Sequence, residues 1–288
     1  MPPKGRLLLT FDAFGTLFVP RESIAKSYAD AARKYGLSGF SNDDIALQFR
    51  KSYKEQSKNA PNYGKKIGIA APEWWSNDGR LFQVIHATFH PFNVSKALPK
   101  GLVPELLSRF SSSEGYMLYP DVLPMFRQLR QMMKNAEGNP NVSDLNVGII
   151  TNSDDRVISI LSTLGLSIGP LRYGRNPYSN QTGVHFRSSS GKRPDIDFVT
   201  ISYDVGFEKP AHQIFDAAKQ LGRFGPASGR LIHVGDDPDK DISGAQHAGW
   251  EGILLDRQEN SNKPDLAHCS AVIPNLLELE SLIIRSST

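Results

Sequence analysis

The sequence predicts an α/β protein: a Rossmann-like parallel sheet core with an inserted all-helical cap. Three observations carry that expectation. Short β-branched or leucine-rich runs recur at Leu7–Phe11, Val147–Ile150, Phe198–Ser202, Leu231–Val234, Ile253–Leu255 and Ala271–Ile273. Amphipathic stretches lie between and after them, at Val122–Met133, Ser153–Leu164, Ala211–Leu221, Asp241–Ala248 and Leu276–Ile284. Alternation on this scale means βαβ units, with helices on both faces of one sheet. The third observation is the exception: Pro20 to about Gly115 keeps a helical periodicity and has almost no strand signal. The core is therefore expected at 1–18 and 117–288, and the helical cap at 19–116.

The elements follow in order. Leu7-Leu8-Leu9 opens the first strand as a continuous apolar run, the pattern of a strand covered on both faces. Helices are expected at Ile24–Tyr35, Trp74–Phe89 and Val103–Phe110. Ser41-Asn42-Asp43-Asp44 before an apolar-periodic run reads as an N-cap with acids in the first turn. Trp74 and Trp75 read as anchors for cap helices. Two segments rich in small and polar residues, Gly138–Ser143 and Pro170–Pro194, read as loops. Each joins a helix to the next strand, which would put both away from the carboxyl edge of the sheet, where ligands bind in such folds.

Bulk composition excludes several function classes. A chain of 288 residues, 39% hydrophobic and 22% charged, fits a soluble globular protein. The start, Met1-Pro2-Pro3-Lys4-Gly5-Arg6, leads into too few apolar residues for a signal peptide, and no run is long enough to span a membrane. The single cysteine, Cys269, forms no internal disulfide, so a reducing compartment, cytoplasm or nucleus, is expected. The net charge of +3 does not point to nucleic acid. Pro170–Pro194 holds Arg172, Arg175, Arg187, Lys192 and Arg193 with no acid, leaving the rest of the chain slightly acidic. That segment reads as a solvated surface loop, with docking of a protein partner as the alternative.

Four strand ends carry residues with chemistry. Asp12 ends the first strand inside Phe11-Asp12-Ala13-Phe14-Gly15-Thr16-Leu17, presenting a carboxylate to an electrophilic phosphorus or carbon. Thr151 ends Gly148-Ile149-Ile150, and its hydroxyl with the following N–H groups could hold a phosphate oxygen; an ordinary helix cap is the alternative. Lys209 precedes Pro210 and could neutralise charge developing on a phosphoryl group. His233-Val234-Gly235-Asp236-Asp237-Pro238-Asp239-Lys240-Asp241 sets four carboxylates within six residues at a strand end, which suits Mg²⁺. A turn followed by capping acids is the alternative there.

Nucleophilic Asp, Thr, Lys and an acidic cluster, in that order and in those contexts, resemble the haloacid dehalogenase-like (HAD) hydrolase superfamily over the whole chain. Within the helical block, Phe49-Arg50-Lys51-Ser52-Tyr53-Lys54-Glu55-Gln56-Ser57, Pro61-Asn62-Tyr63-Gly64, Trp74-Trp75 and Thr88-Phe89-His90 are similar to the eukaryotic group typified by haloacid dehalogenase-like hydrolase domain-containing protein 3. Pro170–Pro194 departs from that group as an extra insertion.

The resemblance implies Mg²⁺-dependent hydrolysis of a small phosphorylated substrate through an aspartyl-phosphate at Asp12. Metal ligands would be Asp12, the backbone carbonyl of Phe14, Asp236 and Asp241, with Asp237 as the alternative to the last. Thr151 and Asn152 would hold phosphoryl oxygens, Lys209 would offset charge, and Thr16 would shape the turn. One departure stands out. Phe14 occupies the place where such phosphatases carry the acid that protonates the leaving group. An acyl-phosphate substrate, a proton from the substrate, or a stand-in among His86, His90 and Tyr63 would bypass the loss. The 2-haloacid dehalogenases carry an aromatic residue at that position, need no acid, and hold their substrate with an arginine near the place of Arg50. A non-catalytic binding protein is the third reading.

Overall fold

The computed structural model describes residues 6–76, 84–93, 97–135, 144–175, 193–225, 229–258 and 269–285. The chain divides into two compact units, Met1–Val19 with Leu118–Asn152 and Gly165–Thr288, and Pro20–Met117 with Ser153–Leu164.

The strands among the described residues are β1 (Arg6–Phe11), β2 (Phe18–Pro20), β3 (Tyr116–Leu118), β4 (Asp144–Thr151), β5 (Ile168–Arg172), β6 (Ile196–Ile201), β7 (Arg230–Gly235), β8 (Glu251–Leu255) and β9 (Ala271–Ile273). The first unit is built on seven of them, in the sheet order β5-β6-β4-β1-β7-β8-β9. All pair in parallel. The expected α/β class and parallel core are present. β1 suits the centre of the sheet because it is mostly apolar: Leu7, Leu8, Leu9 and Phe11 are all buried. Phe11 registers with Ile149 of β4 on one side and Val234 of β7 on the other. One register thus brings Asp12, Thr151 and Asp236 to the same carboxyl edge, at the point where the strand order reverses. Helices α6 (Val122–Asn135), α8 (Ser202–Val205) and α9 (His212–Leu221) belong to this unit, and α9 covers one face of the sheet, burying Ile214, Phe215 and Ala218 against Leu8, Ile150, Phe198 and Trp250.

The structure corrects the reading of the basic segment. Its beginning is an edge strand, β5, paired in parallel with β6. Gly169-Pro170 reads as a turn in sequence, but an edge strand tolerates proline, and a Cβ on Gly169 would lie 2.4 Å from the Asp197 carbonyl oxygen. The segment therefore starts at the carboxyl edge of the sheet, not the opposite one. Two of its described arginines are also tied down, while Arg175 is exposed. Arg172 forms a two-point ion pair with Asp204. Arg193 bonds Asp197 at 2.7 Å and the Leu145 carbonyl at 2.5 Å. Arg187, Lys192 and Gly138–Ser143 lie outside the described residues. One expected helix and one expected strand also differ in form: Asp241–Ala248 becomes a π-helical turn, Pro238–Ser243, followed by Gly244–His247, and Ser202 opens a short helix rather than closing β6.

The second unit is helical. Its described helices are α1 (Ile24–Lys34), α2 (Asn42–Asn59), α3 (Ala71–Ser76), α4 (Val84–Phe89), α5 (Leu102–Arg109) and α7 (Arg156–Thr163). Ser41 caps α2 in a capping box with Asp44, as the sequence indicates. Helix α7 groups with these helices through Asp154 and Arg156. Trp75 Nε1 donates to Asp154 Oδ2 at 2.8 Å, Arg156 Nε donates to both oxygens of Asp154, and the guanidinium lies 4.1 Å from the Trp75 ring centre. Trp74 Nε1 donates to the Ala60 carbonyl at 2.8 Å, so both tryptophans anchor α3. Tyr28, Phe89, Phe110, Ile45, Ile85 and Leu102 form the principal core of this unit.

Candidate active site

The site lies within the first unit. Asp12 extends the β1–β7 ladder by donating its N–H to the Val234 carbonyl at 2.9 Å, which fixes its carboxylate at the sheet edge. The chain then reverses: Gly15 N–H donates to Phe18 O at 2.9 Å and Leu17 N–H to Ala13 O at 2.8 Å. Gly15 sits at φ +86, and a Cβ there would fall 2.6 Å from Asp236 Oδ2. Gly235 clears space in the same way, since its Cβ would meet Asp241 Cγ at 2.2 Å. Each glycine thus leaves room for one carboxylate.

Lys209 ties the site together. Its Nζ donates to Asp12 Oδ1 at 2.6 Å, Asp241 Oδ1 at 2.5 Å and the Ile150 carbonyl at 2.9 Å. That exhausts the three N–H bonds of an ammonium. Asn152 holds the lysine backbone, accepting its N–H at 2.6 Å and donating to its carbonyl at 3.0 Å. The Asn152 side chain, expected on substrate, thus bonds Lys209 through both its amide atoms. Thr16 donates to Asp236 Oδ1 at 3.1 Å, which makes it a brace for that carboxylate.

Asp12, Asp236 and Asp241 each offer an oxygen, and these atoms lie within 4.8 Å of one another. Among the described residues they face one ammonium, so the cluster carries excess negative charge. Burial pushes the Asp12 carboxyl up to about 7, with Lys209 opposing the shift and Asp241 and Asp236 adding to it. Burial, then Asp241, also raises Asp236. Asp241 goes the other way: burial works against its charge, but Lys209 and His233 hold it well below the usual carboxylate range. A buried set of hard oxygens with excess charge fits a divalent cation such as Mg²⁺, which relieves that repulsion.

The other expected residues differ in setting. Thr151 ends β4, buried beside the cluster's strand. Phe14 is 50% exposed, its ring edge-on to Phe18. Asp237 caps the following turn, accepting from Asp239 N and Lys240 N and pairing with Lys240 Nζ at 2.6 Å. It is the capping acid, and Asp241 is the one that enters the cluster. Arg50 is exposed on α2 in the second unit.

Two residues escaped the sequence reading. Arg257 donates to Asp121 Oδ2 at 2.8 Å and to the Thr16 carbonyl at 2.9 Å, and lies 3.8 Å from the Tyr119 ring centre. It clamps the turn behind Asp12. Its only signal was position, two residues beyond the carboxyl end of β8. His233 is buried within β7, with Nδ1 2.9 Å from Thr10 Oγ1 and Nε2 3.2 Å from Asp241 Oδ1. Its signal was a lone imidazole in an apolar strand, directly before Val234-Gly235-Asp236.

A carboxylate at the central strand end, a buried lysine and two further acids define a hydrolase-type site on a parallel α/β sheet. The family model for haloacid dehalogenase-like hydrolases matches residues 7–249. The chain belongs to that family. It is 30% identical to an uncharacterised hydrolase of Schizosaccharomyces pombe over 259 residues, covering 88% of this chain and 92% of the relative. It is 28% identical to human haloacid dehalogenase-like hydrolase domain-containing protein 3 over 251 residues, covering 86% and 81%. The solved 2-haloacid dehalogenase of Pseudomonas syringae shares the fold, with TM-score 0.58, 19% identity and coverage of 98% and 99%.

Proposed function

We propose that this protein is a Mg²⁺-dependent phosphatase acting on a small phosphorylated metabolite through an aspartyl-phosphate at Asp12. The observation that carries the reading is the cluster of Asp12, Asp236 and Asp241 oxygens within 4.8 Å of one another, with Lys209 bonded to two of the three. Asp12, Asp236, Asp241 and the Phe14 carbonyl would hold the metal. When bound, Mg²⁺ would neutralise charge on the phosphoryl oxygens. Asp12 attacks phosphorus, the ester P–O bond breaks, and the leaving oxygen departs with the electron pair. Water then hydrolyses the acyl phosphate and regenerates the carboxylate. Lys209 keeps Asp12 oriented and offsets the charge of the transition state. Thr151 and the N–H groups after it hold the phosphoryl oxygens. The division of labour expected from sequence, with chemistry in 1–18 and 117–288, substrate selection in 19–116 and Arg50 as a substrate contact, stays part of this proposal, as does a cytoplasmic or nuclear setting.

Phe14 supplies no proton, so substrates with good leaving groups should react best. That phenylalanine also supports a second reading, displacement of halide from a 2-haloacid. The crowding of Asp236 and Asp241 around Asp12 weighs against it, because an incoming carboxylate would meet three like charges.

The test is Mg²⁺-dependent hydrolysis of p-nitrophenyl phosphate, whose leaving group departs as a stable anion. Turnover that needs both Mg²⁺ and Asp12, and is lost in Asp12→Asn, is the expected result. A folded protein without turnover on this ester, but releasing chloride from 2-chloropropionate without Mg²⁺, would replace the phosphatase reading with the second.

A further inference from the structure

His233 has no part in the chemistry described above, yet it is fully buried and touches the cluster. Thr10 and His233 are register partners on the neighbouring strands β1 and β7. The hydroxyl of Thr10 lies 2.9 Å from His233 Nδ1 and 3.2 Å from the Ile232 carbonyl. On the other side, His233 Nε2 lies 3.2 Å from Asp241 Oδ1, the same oxygen that accepts from Lys209 Nζ at 2.5 Å. Asp241 Oδ2 accepts the Asp237 N–H at 3.0 Å.

Asp241 Oδ1 accepts from Lys209, and a donor on Nε2 suits the same oxygen, since a bare nitrogen at 3.2 Å would set lone pair against lone pair. Thr10 Oγ1, whose hydrogen can reach the Ile232 carbonyl, braces the other ring nitrogen. The ring is further fixed edge-on to Phe215, with centres 5.3 Å apart at 88°.

We propose that His233 is a positioning residue: braced at Nδ1 by Thr10, it pins Asp241 Oδ1 from Nε2 and through it aims Lys209 at Asp12. Three donors fix Asp241, and His233 is the one among them that belongs to neither the catalytic lysine nor the backbone. Without it, Asp241 can rotate on its remaining bonds, and the ammonium follows. The inference rests on the phosphatase reading, with Asp12 as nucleophile, so its test separates the two.

The first measurement is ¹⁵N NMR of the histidine rings in the wild-type protein, with Thr10→Val to identify the His233 signal. A hydrogen on Nε2 is expected. A ring whose Nε2 is bare would overturn the proposal without reference to any activity. The second compares His233→Leu, His233→Gln and Thr10→Val in p-nitrophenyl phosphate turnover and in binding of beryllofluoride, a stable mimic of the phosphorylated aspartate. His233→Leu should lower kcat by about 10–100-fold, the usual range for removing a partner that orients a site residue. KM should stay unchanged and beryllofluoride uptake should weaken. His233→Gln, which returns an N–H donor near the Nε2 position, should recover part of the loss. Thr10→Val should lower kcat by less. If wild type turns over and takes up beryllofluoride while His233→Leu matches it in both, His233 is only structural and the proposal falls. If wild type itself does neither, the phosphatase reading falls instead.

Discussion

Gly15 meets two constraints, and they can be separated by substitution. Its φ of +86 disfavours any side chain, and its missing Cβ leaves room for Asp236. Gly36 shares the first constraint, at φ +84, but has nothing within 4 Å of its Cβ position. Gly36→Ala should therefore cost only the left-handed strain, about 1–2 kcal/mol in urea unfolding. Gly15→Ala should cost more, and should also weaken Mg²⁺ activation, because only there does the methyl strike a carboxylate. Equal effects of the two on metal activation would disprove the close-approach argument. Phe14 allows a complementary gain. Its side chain is half exposed, so Phe14→Asp can be accommodated, and a positioned acid typically contributes about 10²–10⁴-fold. The variant should gain on alkyl phosphates and little on p-nitrophenyl phosphate, measured as the ratio of kcat/KM for the two. A gain of the same size on both would mean that protonation is not what Phe14 removed.

At the scale of elements, the sequence was readable where one property dominated a segment. β1, β4, β6, β7 and β8 are apolar runs buried in the sheet, and their cores fall where the runs were marked. β5 was not readable, because Gly169-Pro170 carries a strong turn signal and only the neighbour β6 makes it a strand. Ion pairs escaped for the same reason: Arg172 and Asp204 lie on different elements, and no local pattern links them. Trp75 shows both sides. Its role as an anchor was legible from its size, but no local pattern linked it to its partner Asp154. Asp154 is 1% exposed and accepts from the Trp75 indole and Arg156. Trp75→Phe keeps most of the apolar surface and strips one donor from that buried carboxylate. The expected loss is about 1–3 kcal/mol in urea unfolding. A change within error would mean that Arg156 alone satisfies Asp154.

For the molecule as a whole, the family was legible because its marker residues sit at strand ends, where short motifs carry them. What was not legible is how the motifs hold one another. Lys209 reaches Asp12 across 197 residues of sequence, Arg257 reaches Thr16 across 241, and no local pattern encodes either contact. The consequence is global, since strands from both halves of the sheet meet at one charged cluster. Asp12, Asp236 and Asp241 repel one another when they share only Lys209, so metal binding should stabilise the entire first unit. A ligand at 100 times its Kd adds about 2.7 kcal/mol, and Mg²⁺ should raise the thermal midpoint of the wild type accordingly. Asp236→Asn should raise the midpoint in EDTA by removing one like charge, and should abolish most of the Mg²⁺ response. Asp239→Asn is the control, because Asp239 is exposed in the same acidic run but outside the cluster. It should leave both midpoints unchanged. Scanning calorimetry with Mg²⁺ and with EDTA reads all three proteins. A Mg²⁺ response that survives in Asp236→Asn, or disappears in Asp239→Asn, would place the cation elsewhere in the acidic run.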